Sequence, residues 1–384
     1  MRRRDFLIGA AAPAIAAAAS QKNPVQLLAV PENGIQPQIA ADESGLHLVY
    51  LGGDPKHADV FYARSHDSGG SWSTPLRVNS TPGTACGLGT IRGAQLAVAR
   101  GRVHVAWNGS VAQGPHLESG GFPMLYSRWS PAVDKFEPQR NLMRKTFGLD
   151  GGGSLTADRD GNVYVAWHGK AEGAAEGEAG RRVWIAKSVD QGATFAAERA
   201  ATPDSIGACG CCGMRIFSDS RGALYALFRS ATQNVHRDIY LLHSTDRGEN
   251  FSSALLHPWN INACPMSSMS FVESRGEVIG AWETQTQIYF APLSSGIEVA
   301  KNRIAAPPGE HPKRKYPSLA VNRRGETLVA WVEGSGWGKG GAVGWQIFDR
   351  SGRPSVAATA QKMLPAWTFP AAFALPDGRF AILV

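Results

Sequence analysis

Charge is scarce in this 384-residue sequence, with only 18% of residues being Asp, Glu, Lys or Arg. So low a fraction excludes a disordered chain, which stays open by being highly charged and poorly hydrophobic. Basic runs are equally short. None exceeds Lys313-Arg314-Lys315, and no basic stripe is interleaved with aromatics, so a nucleic-acid partner is excluded. The alanine-rich run at 6–19 is below the roughly 20 residues that a membrane-spanning helix needs. No helical dimerisation stripe is visible, which points to a monomer. Cysteine is also sparse, and the count of five leaves at least one unpaired. In contrast, glycine (44) and tryptophan (11) are plentiful, a composition suited to many short strands, tight turns and aromatic packing.

The N-terminus reads as an export segment covering 1–19. Arg2, Arg3 and Arg4 precede Asp5-Phe6-Leu7 and the alanine-rich run, with small residues at Ala17 and Ala19. Arg3-Arg4-Asp5-Phe6-Leu7 resembles the twin-arginine signal, which carries folded proteins across the bacterial inner membrane; an ordinary secretory signal is the alternative. The expectation is a periplasmic or extracellular protein with no membrane span in its mature form. Removing 1–19 takes three arginines and one aspartate, so the net charge falls from +7 to about +5. This mild basic bias suits an anionic small ligand.

The remainder, 20–384, reads as one all-β domain because of its period. An acidic or polar residue, two residues, a glycine and an apolar strand ending in an aromatic recur along the chain. Asp42-Glu-Ser-Gly45 runs to Tyr50, Asp158-Arg-Asp-Gly161 to Trp167, Asp219-Ser-Arg-Gly222 to Phe228, Glu273-Ser-Arg-Gly276 to Trp282 and Asn322-Arg-Arg-Gly325 to Trp331. Looser copies use Gly101 and Gly378, and the seven glycines are 49 to 61 residues apart. Four strand-like segments per unit at that spacing predict a β-propeller. Six complete units run from about 35 to 365, and the C-terminal segment supplies the first two strands of a seventh. Residues 25–30 then close the ring as an outer strand, protecting its edges. A six-bladed ring with a terminal flap is the alternative.

A second repeat, S-x-D-x-G-x-x-[WF], occurs at Ser65 to Trp72, Ser188 to Phe195 and Ser244 to Phe251. It is similar to the Asp box of the sialidase superfamily. The resemblance implies that Asp67, Asp190 and Asp246 are scaffold residues on the face opposite the active site, where the carboxylate caps backbone N–H groups. Two further segments resemble the family. Leu227-Phe228-Arg229 followed by His236-Arg237-Asp238 is similar to the segment that supplies an arginine of the carboxylate-binding triad. Lys315-Tyr316-Pro-Ser-Leu319 is similar to the segment that carries the nucleophilic tyrosine. The resemblance implies an exo-glycosidase for a terminal acidic sugar, with Tyr316 as nucleophile, Glu283 taking its proton and arginine holding the carboxylate. The sequence departs from the family at Gln36-Pro37-Gln38, which replaces an Arg-Ile-Pro and loses one arginine of the triad.

In a propeller, the segments leading into each inner strand and those leaving the second strand share one face. That rule places Arg92, Asp150, His168, Arg229 and Trp367 around a substrate site, to which the resemblance adds Arg237. It also puts all five cysteines on this face: Cys86, Cys209, Cys211, Cys212 and Cys264. An oxidising compartment favours a disulfide from the 209–212 cluster to Cys264. Soft thiolates with Met266, and His168 or His257 nearby, suit copper(I) or zinc instead. A reactive thiol is the third possibility. Three functions therefore follow from the sequence: a sialidase-type glycosidase, a thiolate metal or redox site, and a non-catalytic propeller recognising glycan or protein.

Overall fold

The computed structural model describes residues 23–110, 122–309 and 313–384. The export segment expected at 1–19 lies outside them. Seven small sheets form a ring, a seven-bladed β-propeller. Their innermost strands are Ile35–Asp42, Gln95–Ala99, Ser154–Ala157, Arg215–Ser218, Met269–Ser274, Arg314–Val321 and Ala371–Ala374. Each touches the next, and the last touches the first, so the ring is closed.

The repeat glycines do what the pattern requires. All seven have φ between 71° and 131°, at the turns joining the first two strands of each blade. At Gly45 a Cβ would also lie 2.4 Å from the Ser65 carbonyl oxygen, so both conformation and space demand glycine. The aromatic ending the second strand plugs the gap between blades. Trp107 packs on Val60 and Tyr62 of the preceding blade, Trp167 on Met124 and Tyr126, and Trp282 on Leu227 and Leu241. All three tryptophans are fully buried. Each such ring removes roughly 150–250 Å² from water, about 4–6 kcal/mol as an upper estimate.

Inner strands have no partner on their axial edge, and hydroxyls satisfy the backbone groups left there. Ser154, Ser270 and Ser318 accept the N–H groups of Ile216, Leu319 and Ala372 in the next blade, at 2.9–3.1 Å. The seventh blade closes as expected. Val25–Leu28 pairs in parallel with Phe380–Leu383, which pairs with Ala371–Ala374. One detail differs from expectation. The fifth blade has three strands, not four, and the place of the fourth holds the short helix Ile297–Asn302 and a single bridge between Phe290 and Ala305.

The three S-x-D-x-G turns share one hydrogen-bond pattern. In the first, Ser65 donates to Asp67, Gly69 N–H donates to Ser65 Oγ, and Ser71 donates to Asp67 through both N–H and hydroxyl. The Ser71 N–H, then the Ser71 and Ser65 hydroxyls, hold the Asp67 carboxyl at about 2 instead of 3.8. A carboxyl lowered on folding stabilises fully above its unfolded value and loses that contribution as pH falls through the folded value. Asp67→Asn is therefore expected to melt below the parent at pH 7. The two melting curves, followed by circular dichroism, should converge as the pH nears 2.

Candidate functional site

Two glycine-rich segments build the centre of the upper face. The loop Cys209-Gly-Cys-Cys-Gly213 enters the inner strand of the fourth blade, and Asp150-Gly-Gly-Gly153 enters that of the third. They lie backbone to backbone, with Gly151 N–H donating to Gly210 O at 2.6 Å. A Cβ at Gly151 would meet the Cys212 and Gly210 carbonyls at 2.5 Å, and one at Gly152 would meet the Ile91 carbonyl at 1.7 Å. Only glycine permits this approach. Cys209 N–H donates to Arg229 O, Gly210 N–H donates to Glu178, and His168 Nε2 donates to Cys212 O at 2.8 Å.

This packing gathers four cysteines. Cys211 is disulfide-bonded to Cys264, with their Cα atoms 6.4 Å apart, across the fourth and fifth blades. Cys209 and Cys212 are free and buried, their sulfurs 3.2 Å apart, and Cys209 Sγ lies 3.4 Å from Cys211 Sγ. Cys264 faces solvent. Cys86, also free and buried, does not belong to the trio of Cys209, Cys211 and Cys212, whose sulfurs lie within 4.8 Å of one another.

The charges around the buried pair are unequal. Arg229 is 1% exposed and spans three segments. Its Nε donates to Ser267 Oγ at 2.8 Å, its Nη atoms to the carbonyls of Arg237 and Glu283, and its guanidinium stacks 4.9 Å over Trp259. Ser267 in turn donates to Cys212 Sγ through its N–H and its hydroxyl, both at 3.5 Å. Burial opposes a thiolate at Cys212, but the Cys209 S–H, the Arg229 charge and the Ser267 donors outweigh it, so Cys212 ionises below the usual thiol range. Its hydrogen bond to Cys212, together with burial, drives Cys209 the other way, so it keeps its proton. Burial also pushes Glu283 up to about 7 against the pull of Lys315 and Arg229.

Beside the exposed Cys264 opens a cavity of about 230 Å³, walled by Met266, Lys315, Tyr316, Trp337 and Trp367. Trp337 and Trp367 meet edge to face at 6.3 Å. Lys315 Nζ donates to Pro265 O at 2.7 Å and pairs with Glu283 at 3.4 Å. Met266, Tyr316 and Trp367 all have positive φ, an uncommon conformation that aims their side chains at this opening.

The structure thus brings together Cys209, Cys211, Cys212, Cys264, Met266, Tyr316, Trp367 and, through Lys315, Glu283. It does not form the arginine clamp that the resemblance implied. Arg229 is spent on main-chain carbonyls, Arg237 pairs with Glu178 at 2.5 Å, and Arg92 pairs with Asp150. The Glu283 carboxylate faces Lys315 instead of acting as the base for Tyr316. Tyr316 is 5% exposed, and burial raises its phenol above the ordinary value, which opposes a phenolate nucleophile. Burial and then Arg181 push His168 down to about 4, so it is a neutral donor to the Cys212 carbonyl. His257 accepts from the Trp282 indole at 3.0 Å. Sequence reasoning missed Ser267, Glu178 and Trp337. Only Trp337 carried a signal, as the one large aromatic in the glycine-rich loop at 334–341.

No protein-family model matches this sequence, and no curated protein matches it. Among solved structures, the chain is similar to a Dyadobacter fermentans protein of unknown function at 14% identity, with a TM-score of 0.51, over 87% of this chain and 96% of that one. It is also similar to Trypanosoma rangeli sialidase in complex with the inhibitor DANA, at 12% identity and a TM-score of 0.51, over 79% of this chain. That match covers 53% of the sialidase, so this chain spans about half its length. At such identities the likeness establishes a sialidase-like propeller fold and leaves the chemistry to the site itself.

Proposed function

We propose that this propeller is a thiol–disulfide exchange protein, passing an electron pair between the exposed Cys211–Cys264 disulfide and the buried Cys209/Cys212 dithiol. The observation that carries this reading is the contact of Cys209 Sγ with both Cys211 Sγ, at 3.4 Å, and Cys212 Sγ, at 3.2 Å. The buried pair shares one proton, which moves across the 3.2 Å contact. The Cys209 thiolate attacks Cys211 Sγ, and Cys264 departs as a thiolate. Cys212 then releases its proton to Cys264 and attacks Cys209 Sγ, and Cys211 departs as a thiolate. The products are a Cys209–Cys212 disulfide and a Cys211/Cys264 dithiol that shares the one proton. Two electrons have moved, and no outside oxidant is consumed. A partner thiol enters the same chemistry at Cys264, the exposed residue of the disulfide.

The test is to equilibrate the protein in glutathione buffers of graded potential, quench with acid, alkylate and map the bonds by mass spectrometry. The expected oxidised form carries Cys211–Cys264 with three free thiols at Cys86, Cys209 and Cys212. Two further one-disulfide species should appear as reduction proceeds, one with a Cys209–Cys212 bond and free thiols at Cys211 and Cys264, the other with glutathione on Cys264 and free thiols at Cys209, Cys211 and Cys212. A Cys211–Cys264 bond that never exchanges, with Cys209–Cys212 absent throughout, sinks the proposal.

A second reading rests on the three sulfurs of Cys209, Cys211 and Cys212 lying within 4.8 Å of one another. With the disulfide reduced, they fit a soft ion such as copper(I) or zinc, for which convergent thiolates are the preferred donors. Bound there, the ion would supply a soft Lewis acid or a one-electron carrier. Elemental analysis of anaerobically purified, reduced protein separates the readings. Roughly one equivalent of metal supports this second reading, and a trace amount removes it.

A further inference from the structure

We infer that the axial cavity of the ring is a binding site for one small inorganic oxyanion, of sulfate or phosphate size, held by Arg215. The cavity lies between the inner strands, with a volume of about 120 Å³, space for several waters or for one such anion. Of the described residues that line it, Arg215 is the one that carries a full charge, and no carboxylate joins it there. Its guanidinium donates to the amide oxygens of Gln95 and Gln38, both neutral. That leaves a cation in a confined space with dipoles alone for company, and burial pushes its pKa down to about 10.

The walls supply donors that match. Ser270 and Ser318 already accept backbone N–H groups from the next blade, so each hydroxyl proton is left to donate elsewhere. Arg215 uses two of its five N–H groups on the glutamines. The remaining three form part of the planar fork that suits two oxygens of one anion. An oxyanion here compensates the charge, takes the free hydroxyl protons and ties three inner strands together. This assignment is independent of the cysteine chemistry, which sits above the cavity.

The test has two arms. Sulfate is titrated calorimetrically into wild-type protein and Arg215→Gln at fixed ionic strength, and wild-type crystals are soaked in selenate for an anomalous map. Affinity is expected to fall about tenfold or more in the variant, the loss that comes from removing one charge-assisted donor pair. The map should show one selenium peak beside the Arg215 guanidinium. Equal sulfate binding by the two proteins, or a wild-type map without a peak in the axial cavity, overturns the proposal. Should Arg215→Gln fail to fold, the wild-type map decides alone.

Discussion

Replacing Arg229 with methionine is expected to lower the unfolding free energy by about 3–5 kcal/mol, read from urea titration. The side chain fills one of the least exposed positions in the ring, so methionine preserves much of its volume while deleting every donor. The carbonyls of Arg237 and Glu283 and the hydroxyl of Ser267 then lose their partner in an environment without water. Each stranded acceptor costs about 1–3 kcal/mol, and the total is tempered by local relaxation. The same change removes the nearby positive charge that favours the Cys212 thiolate, so the pH at which Cys212 ionises should rise. That second effect is measured by the ultraviolet absorbance of the thiolate across a pH series, with Cys212→Ser as the blank. Arg229→Lys distinguishes charge from geometry. A lysine keeps the sign but has no planar fork, so thiolate formation should be largely retained while stability is not. If Arg229→Met melts like the parent and leaves the thiolate titration where it was, the arginine is mere filling and the electrostatic account of Cys212 fails.

The scaffold was legible because a propeller writes its geometry into a period. A glycine at positive φ and an aromatic plug are needed once per blade, and both survive as local signals. The fifth blade broke the pattern because nothing local distinguishes a fourth strand from a helix such as Ile297–Asn302 that covers the same edge. The site was only partly legible. That the cysteines share a face follows from loop order, but the contact of Cys209 with Cys211 depends on how 209–213 rests on the glycines of 150–153. Arg229 shows the opposite failure. Its resemblance to a ligand-binding arginine is real along the chain. Three dimensions nevertheless turn it inward, where carbonyls from two other segments claim it. Tyr316 and Gln36 illustrate a third limit. Each precedes a proline, which ordinarily favours an extended backbone, yet each has φ of 57° at a break in strand register. The proline marked the place without revealing the direction in which the side chain turns.

Cys264→Ser should slow the reaction with glutathione disulfide or glutathione by about 100-fold or more, whereas Cys209→Ser should leave the first encounter near normal and block the inward transfer. The difference arises from depth. Cys264 is open to solvent beside the Trp337 and Trp367 cavity, while Cys209 and Cys212 are each 1% exposed. A buried sulfur meets an outside reagent only through a local opening, so removing the exposed one removes the entrance. Cys264→Ser also frees Cys211, whose sulfur then has Cys209 at 3.4 Å as its nearest thiol neighbour. In Cys209→Ser the disulfide still accepts an outside thiol at Cys264. The disulfide bond then has no route inward, because Cys211 and Cys212 are adjacent in sequence and bond each other only with backbone distortion. Rapid-quench alkylation and mass spectrometry should therefore find a glutathione adduct on Cys264 in both Cys209→Ser and the parent, but a one-disulfide species with Cys211 and Cys264 both free in the parent alone. Cys212→Ser should stop the second transfer for a different reason, since it removes the sulfur that attacks Cys209 and releases Cys211. A relay makes these three variants fail at three different steps. If all three instead react with glutathione at the parental rate, the sulfurs are a structural clamp between the fourth and fifth blades, and the exchange chemistry belongs to some other molecule.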